Sequence, residues 1–122
     1  MTEITRKIAD IVSEAGVEFG VCTLFVRHTS ASLVIQEAAD PAARHDLEVW
    51  LERTAPENDP AYTHTEEGPD DMPSHIRSMI TSTSTVIPIT DGKLALGTWQ
   101  GIFLAEHRRN TRPRQVVVHI SP

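Results

Sequence analysis

Thr85-Val86-Ile87-Pro88-Ile89-Thr90-Asp91-Gly92-Lys93-Leu94-Ala95-Leu96 is the stretch that decides the fold. Asp-Gly between two apolar runs is the two-residue hairpin signal, because a type I′ turn needs positive φ at both central positions. Thr85 to Thr90 is therefore expected to be a strand that turns at Asp91-Gly92 and pairs antiparallel with Lys93 to Leu96. Pro88 lacks an N–H, which confines the first of these strands to a sheet edge or a bulge. Downstream, Ile102 to Ala105 and Gln115 to Ile120 have strand composition and are joined by an arginine-rich turn, Arg108 to Arg114. Upstream, Pro73 is placed as the first residue of a short helix through His75, Ile76, Met79 and Ile80. Thr54 to Thr63, with Pro56 and Pro60, is a loop by its turn chemistry, and Pro69 and Pro73 bracket Asp70-Asp71.

Further back, Asp40-Pro41 is an N-cap followed by proline at the first helical position, opening a helix to about Arg53. Its apolar stripe is Ala43, Leu47, Trp50 and Leu51, with His45, Glu48 and Glu52 facing water. Ser32 to Gln36 is a short strand, and Val17 to His28 alternates with period two as a strand buried on at least one side. Ile4, Ile8, Ile11, Val12 and Ala15 form a 3.6-residue stripe that closes at Gly16, an amphipathic helix with Thr2 as its N-cap. Strands that cluster late, with helices inserted early, indicate an α+β fold with antiparallel pairing rather than repeated βαβ units. No internal repeat is visible.

At 122 residues the chain suits one domain, 1–122, and its hydrophobic content of 39% is enough to line a core without disulfide help. A net charge of −6 has the wrong sign for general nucleic-acid binding. The lone Cys22 excludes an intrachain disulfide and a cysteine-rich zinc module, and it suits a reducing, cytoplasmic setting. No apolar run is long enough to span a membrane, and Met1 to Gly16 carries Glu3, Asp10 and Glu14 where a signal peptide needs apolar residues. The expected partner is a small molecule, with no nucleic acid and no membrane.

Six histidines are the first candidates for chemistry. His28 ends a strand and precedes Thr29-Ser30-Ala31-Ser32, so it is either a hydrogen-bonded strand terminus or a site residue. His64 lies in a loop. His75 falls in the first turn of the Pro73 helix, where the positive helix end disfavours imidazolium and so favours the neutral form that a metal requires. Between these two histidines stand Glu66, Glu67, Asp70 and Asp71, either a solvated acidic loop or a source of carboxylate oxygens for Mg²⁺ or for orienting a ligating histidine. The spacings from His28 to His64 and from His64 to His75 match no compact zinc motif. Arg108, Arg109, Arg112 and Arg114 carry guanidinium forks that suit phosphate or diphosphate, or else form a charged surface turn. Ser30 or Ser32 beside His28 lacks the Gly-x-Ser-x-Gly elbow of a serine nucleophile. Trp99, in Gly97-Thr98-Trp99-Gln100-Gly101, either lines a pocket or packs a tight turn.

Four strings occur in order: His28-Thr29-Ser30-Ala31-Ser32; Tyr62-Thr63-His64 with Glu66-Glu67-Gly68; Asp70-Asp71-Met72-Pro73-Ser74-His75-Ile76; and Leu94-Ala95-Leu96-Gly97-Thr98-Trp99-Gln100-Gly101-Ile102. From about Gly20 to Val118 the chain resembles the YjbQ-like family, also labelled secondary thiamine-phosphate synthase. The resemblance implies a two-sheet antiparallel β-sandwich with a few inserted helices, assembled as a homotrimer. It also implies a metal pocket with His28, His64 and His75 as ligands, for zinc or Mg, and His28, Asp71 and Glu106 as catalytic groups. Trp99, Gln100, Arg108 and Arg112 would bind a phosphorylated substrate. The implied activity joins hydroxymethylpyrimidine diphosphate to thiazole phosphate with release of pyrophosphate; the alternative is a non-catalytic trimeric module that binds a metal or small molecule. Family members begin with an additional strand before the first helix, whereas Met1 here stands only a few residues before Ile4, so that edge strand is expected to be missing or the start truncated.

Overall fold

The computed structural model describes residues 1–110 and 112–122. Thr111, inside the expected arginine-rich turn, lies outside the described residues. The elements run β1 (Thr2–Glu3), α1 (Thr5–Ala15), β2 (Gly20–Val26), β3 (Ala31–Glu37), α2 (Pro41–Thr54), α3 (Asp71–Ile80), β4 (Ser84–Thr90), β5 (Lys93–Leu94), β6 (Gln100–Glu106) and β7 (Val116–Ser121). Two antiparallel sheets result, one in the order β1-β6-β3 and one in the order β5-β4-β2-β7, which is the expected α+β class.

The decisive hairpin forms as its chemistry requires: Asp91 has φ 53° and Gly92 φ 75°, and Ile89 pairs with Leu94. Positive φ at both turn positions is the type I′ signature. Pro88 accepts a hydrogen bond from Ala95 N–H through its carbonyl, at 2.8 Å. Within a strand the N and C=O of one residue point to the same side, so the missing N–H of Pro88 faces the short outer strand β5 and not the central β2.

The alternate residues Cys22, Leu24 and Val26 of β2 meet Ala31 and Leu33 of β3, Ile87 and Ile89 of β4, and Ile102 of β6. Helix α1 closes this core with Ile8 and Val12. The two sheets are joined through the segment before β4, where Leu33 and Ser82 exchange backbone hydrogen bonds and Val26 N–H donates to Thr83 C=O. The candidate site lies along that junction, at the ends of β2 and β6.

Three local expectations are corrected. A strand does precede α1: Thr2 and Glu3 pair with Leu104 and Phe103, so the edge is present but only two residues long. Thr2 therefore belongs to β1 and does not cap α1; Ile4 takes the cap position, and Thr5 Oγ1 ties the helix to β6 by accepting from Ile102 N–H. Trp50, expected in the core, is 57% exposed, while Leu51 is buried. At about 100° per residue Trp50 falls about 20° from Ala43, at the margin of the face made by Ala43, Leu47 and Leu51, so its exposure is decided by packing and not by helical spacing. The Asp40 cap is as expected, accepting from Ala42 N–H at 2.9 Å ahead of Pro41. Asp40→Ala is expected to lower stability by about 1 kcal/mol, read by urea denaturation.

His107 is buried after β6, with Nε2 2.8 Å from Ser32 Oγ. Burial, reinforced by the charge of Arg77, lowers its pKa to about 4. The unfolded chain takes up this proton near the ordinary histidine value, whereas the fold resists it until about pH 4. Stability contributed by neutral His107 is thus fully present above about pH 6.5 and lost on acidification between that value and about pH 4, up to about 3 kcal/mol. Urea denaturation at pH 7 and pH 4.5 is expected to show this loss in the wild type and a clearly smaller one in His107→Asn.

Candidate metal centre

Gly68, with φ 105°, turns the loop so that its carbonyl accepts from Asp71 N–H and the chain enters α3 at Asp71 rather than at Pro73. Pro73 is the third helical residue, where a missing N–H still costs nothing, because the first turn has no intrahelical acceptor to lose. His75 consequently sits four residues into the helix and not in its first turn. That offset places it on the same face as Asp71, one turn away.

Asp71 is 2% exposed, and each of its carboxylate oxygens is engaged. Oδ1 accepts from Arg108 Nη1 at 2.8 Å. Oδ2 lies 2.7 Å from His64 Nε2 and 3.0 Å from His75 Nε2. Burial opposes ionisation of Asp71, but the hydrogen bond from His64 and the charges of His75 and Arg108 outweigh it and hold the carboxyl below its usual range. Asp70 goes further, to about 2, chiefly through the side-chain hydrogen bonds from Arg108 and a backbone N–H from Arg109. The acidic run is thus divided: Glu66 and Glu67 face solvent, while Asp70 and Asp71 are buried in ion pairs.

The other nitrogen of His75, Nδ1, lies 3.0 Å from the backbone carbonyl of Thr29. A carbonyl can only accept, so Nδ1 carries the proton. In the neutral ring the lone pair is then on Nε2, aimed at Asp71 Oδ2. Two acceptors meeting at this distance call for a cation or a proton between them. Ligand atoms of His64, Asp71 and His75 all lie within 4.8 Å of one another, the spacing of groups that share one metal ion.

His28 is near but differently engaged. It lines the same cavity of about 410 Å³ as Asp71, His75, Arg108, Arg112 and Arg114. Its Nδ1 lies 2.9 Å from Ser30 N–H and its Nε2 2.9 Å from Arg114 Nη1, so both ring nitrogens are turned to donors of the protein, and the guanidinium, which can only donate, requires the lone pair of Nε2. In this orientation the ring offers no lone pair toward the His64–Asp71–His75 cluster. Glu106 is gripped by Arg114 through both oxygens, and although burial opposes its ionisation, Arg114 holds it ionised below the ordinary glutamate range. Ser32 is paired with His107 and not with His28. Trp99 is 64% exposed, Gln100 Oε1 accepts from Gly97 N–H in the turn that leads into β6, and neither is among the residues lining the histidine cavity.

Sequence reasoning named the members of this cluster but not its hub, because nothing local distinguishes Asp71 from its three acidic neighbours. The i, i+4 spacing of Asp71 and His75 was the available signal, and it was hidden by placing the helix start at Pro73. Asp71→Ala would leave Arg108 Nη1 without its carboxylate, although the partly exposed guanidinium keeps its fork on Asp70. It is expected to cost about 2 kcal/mol, and a loss below about 0.5 kcal/mol in urea denaturation would mean that this ion pair does not hold the loop to α3.

The whole chain, residues 1–122, matches the family model described as UPF0047 protein YjbQ-like. A UPF0047 protein of Synechocystis sp. is 55% identical over 115 residues, covering 94% of this chain and 78% of that protein. The UPF0047 protein YjbQ of Escherichia coli O157:H7 is 45% identical over 115 residues, covering 94% and 80%. Among solved structures, a YbjQ-like protein of unknown function from Sulfolobus solfataricus superposes with a TM-score of 0.89 at 26% identity, covering 98% of this chain and 84% of that one. A conserved hypothetical protein from Thermus thermophilus gives 0.86 at 36% identity, covering 98% and 90%. With a full-length family match and relatives of this identity, the chain belongs to the UPF0047 YjbQ-like family.

Proposed function

We propose that His64, Asp71 and His75 form a divalent-metal site of an enzyme that acts on a phosphorylated small molecule. The observation that carries the proposal is the Thr29 carbonyl on His75 Nδ1, which fixes the tautomer that turns Nε2 onto the carboxylate. Metal-ligating histidines characteristically donate their second nitrogen in this way. Two imidazoles and one carboxylate form a donor set suited to zinc and related transition metals. Mg²⁺, which prefers oxygen ligands and near-octahedral geometry, is the poorer fit. When bound, such an ion supplies Lewis acidity and a lowered pKa for a bound water.

This chain's own residues supply the rest of the chemistry. The cavity beside His75 is of small-molecule size. Arg112 lines it and, among the described residues, makes no hydrogen bond, so its guanidinium fork is available to phosphate oxygens. Arg114, neutralised by Glu106, keeps Nη1 at His28 on the cavity wall. In this proposal Glu106 is a fixed counter-charge that orients Arg114, and His28 contacts the substrate rather than the metal. Thiamine-phosphate formation falls within this class, since a diphosphate leaving group needs such charge neutralisation. The geometry favours phosphate and metal without selecting a heterocycle, so that condensation is the first activity to assay and not the premise of the proposal.

Self-association is proposed as well, as a homotrimer. Val21, Phe25, Val86 and Val117 are exposed on the outer face of the four-stranded sheet, in facing or neighbouring register positions. Such a row is a site for a second copy; the threefold symmetry rests on the family resemblance.

A binding module without catalysis is the competing account, and it draws on the mutual hydrogen bonding of Asp70, Asp71 and Arg108. Elemental analysis separates the metal site from a purely structural cluster. The protein reconstituted with zinc and freed of excess is expected to retain about one ion per chain, and His64→Ala and His75→Ala to lose it while remaining folded. No retained metal in the wild type would overturn the metal site. Metal retained without turnover of any phosphorylated substrate would favour the binding module.

A further inference from the structure

Arg108 stands among the arginines that suit a substrate phosphate, yet its donors are already committed. Nε and Nη2 fork onto Asp70 at 3.3 and 3.1 Å, Nη2 also donates to the Glu67 carbonyl at 2.8 Å, and Nη1 donates to Asp71 Oδ1 at 2.8 Å. Four of the five guanidinium N–H groups are thereby used within the protein. Asp70 is in turn fixed by the backbone N–H of Arg109, whose side chain is paired with Glu57. Arg108 is thus held from one side by an anchored carboxylate and grips Asp71 on the other.

We propose that Arg108 is a positioning residue that determines which oxygen Asp71 presents and thereby tunes the metal preference of the site. This rests on the metal-site proposal above. With Oδ1 bound to Arg108, only Oδ2 faces His64 and His75. The protein then offers three ligand atoms, two nitrogens and one oxygen. A three-ligand site of this kind suits zinc or Co²⁺ at low coordination number. Freeing Oδ1 would let the carboxylate chelate through both oxygens, which suits larger, oxygen-preferring ions such as Mn²⁺ and Ca²⁺. A lysine at this position would keep one positive charge but could not hold Asp70 and Asp71 with one planar fork.

The test is titration of the full chain with Co²⁺ and with Mn²⁺, following affinity and the visible absorption of the Co²⁺ form, for the wild type, R108Q, R108K and D70N. The wild type is expected to give the intense absorption of low-coordinate Co²⁺. In R108Q and R108K that absorption should weaken, and the ratio of Co²⁺ to Mn²⁺ affinity should fall by about 10- to 100-fold, the usual effect of removing a partner that orients a ligand. D70N keeps the Arg108–Asp71 contact but loosens its anchor, so a smaller change in the same direction is expected; it serves as the readout if the Arg108 variants do not fold. Unchanged spectrum and affinity ratio in folded variants would overturn the positioning role while leaving the metal site intact. A wild type that binds neither ion would overturn the metal site itself.

Discussion

A buried carboxylate must be paired, and Asp71 is the point at which that requirement organises this molecule. Taking it out of water is tolerable only because Arg108 meets one oxygen and two histidines meet the other. Those partners come from separate parts of the chain: His64 from the loop after α2, His75 from α3, and Arg108 from the segment just after β6. One side chain thus binds the long loop and the helix to the sheet. Because α3 ends at Ile80 and the chain runs through its cap residue Thr81 directly into the Leu33–Ser82 bridge between the sheets, the position of the cluster is linked to the junction of the core.

The electrostatic pattern extends outward as an alternating series, Glu57, Arg109, Asp70, Arg108, Asp71 and then the two histidines. The outer members are partly exposed, and such pairs contribute little stability individually. Their effect is geometric. Each fixes the next, so that the buried carboxylate has one orientation and His75, held by Thr29, has one tautomer. Arg114, which also lines the cavity, forms a second closed pair with Glu106. Arg112 lines the same cavity and, among the described residues, makes no hydrogen bond, which is why it, and not Arg108, carries the phosphate contact in the proposed function.

The sequence was most legible where local chemistry alone dictates the conformation. Asp91-Gly92 can hardly be anything but a tight hairpin turn, Asp40-Pro41 announces a helix start, and the alternation of Cys22, Leu24 and Val26 marks a buried strand face. It was least legible where tertiary contacts override local preference. Pro73 is as acceptable at the third helical position as at the first, and only the burial of Asp71 selects the earlier start. Strand β1 is too short to show periodicity and exists because β6 offers an unpaired edge. The histidines were visible as candidates, but which nitrogen each turns toward its neighbours depends on a backbone carbonyl and an amide that no spacing reveals. The family resemblance supplied the general location of the pocket; the ligand set favoured by the geometry exchanges His28 for Asp71.

X-ray absorption at the zinc edge of the zinc-loaded protein tests this ligand set most directly. The account predicts a nitrogen and oxygen shell with the multiple-scattering pattern of two imidazoles, reduced to one in His75→Ala and unchanged in His28→Ala. A pattern that needs three imidazoles and loses one in His28→Ala would contradict it, restoring His28 as a ligand and removing Asp71 from the centre of the site.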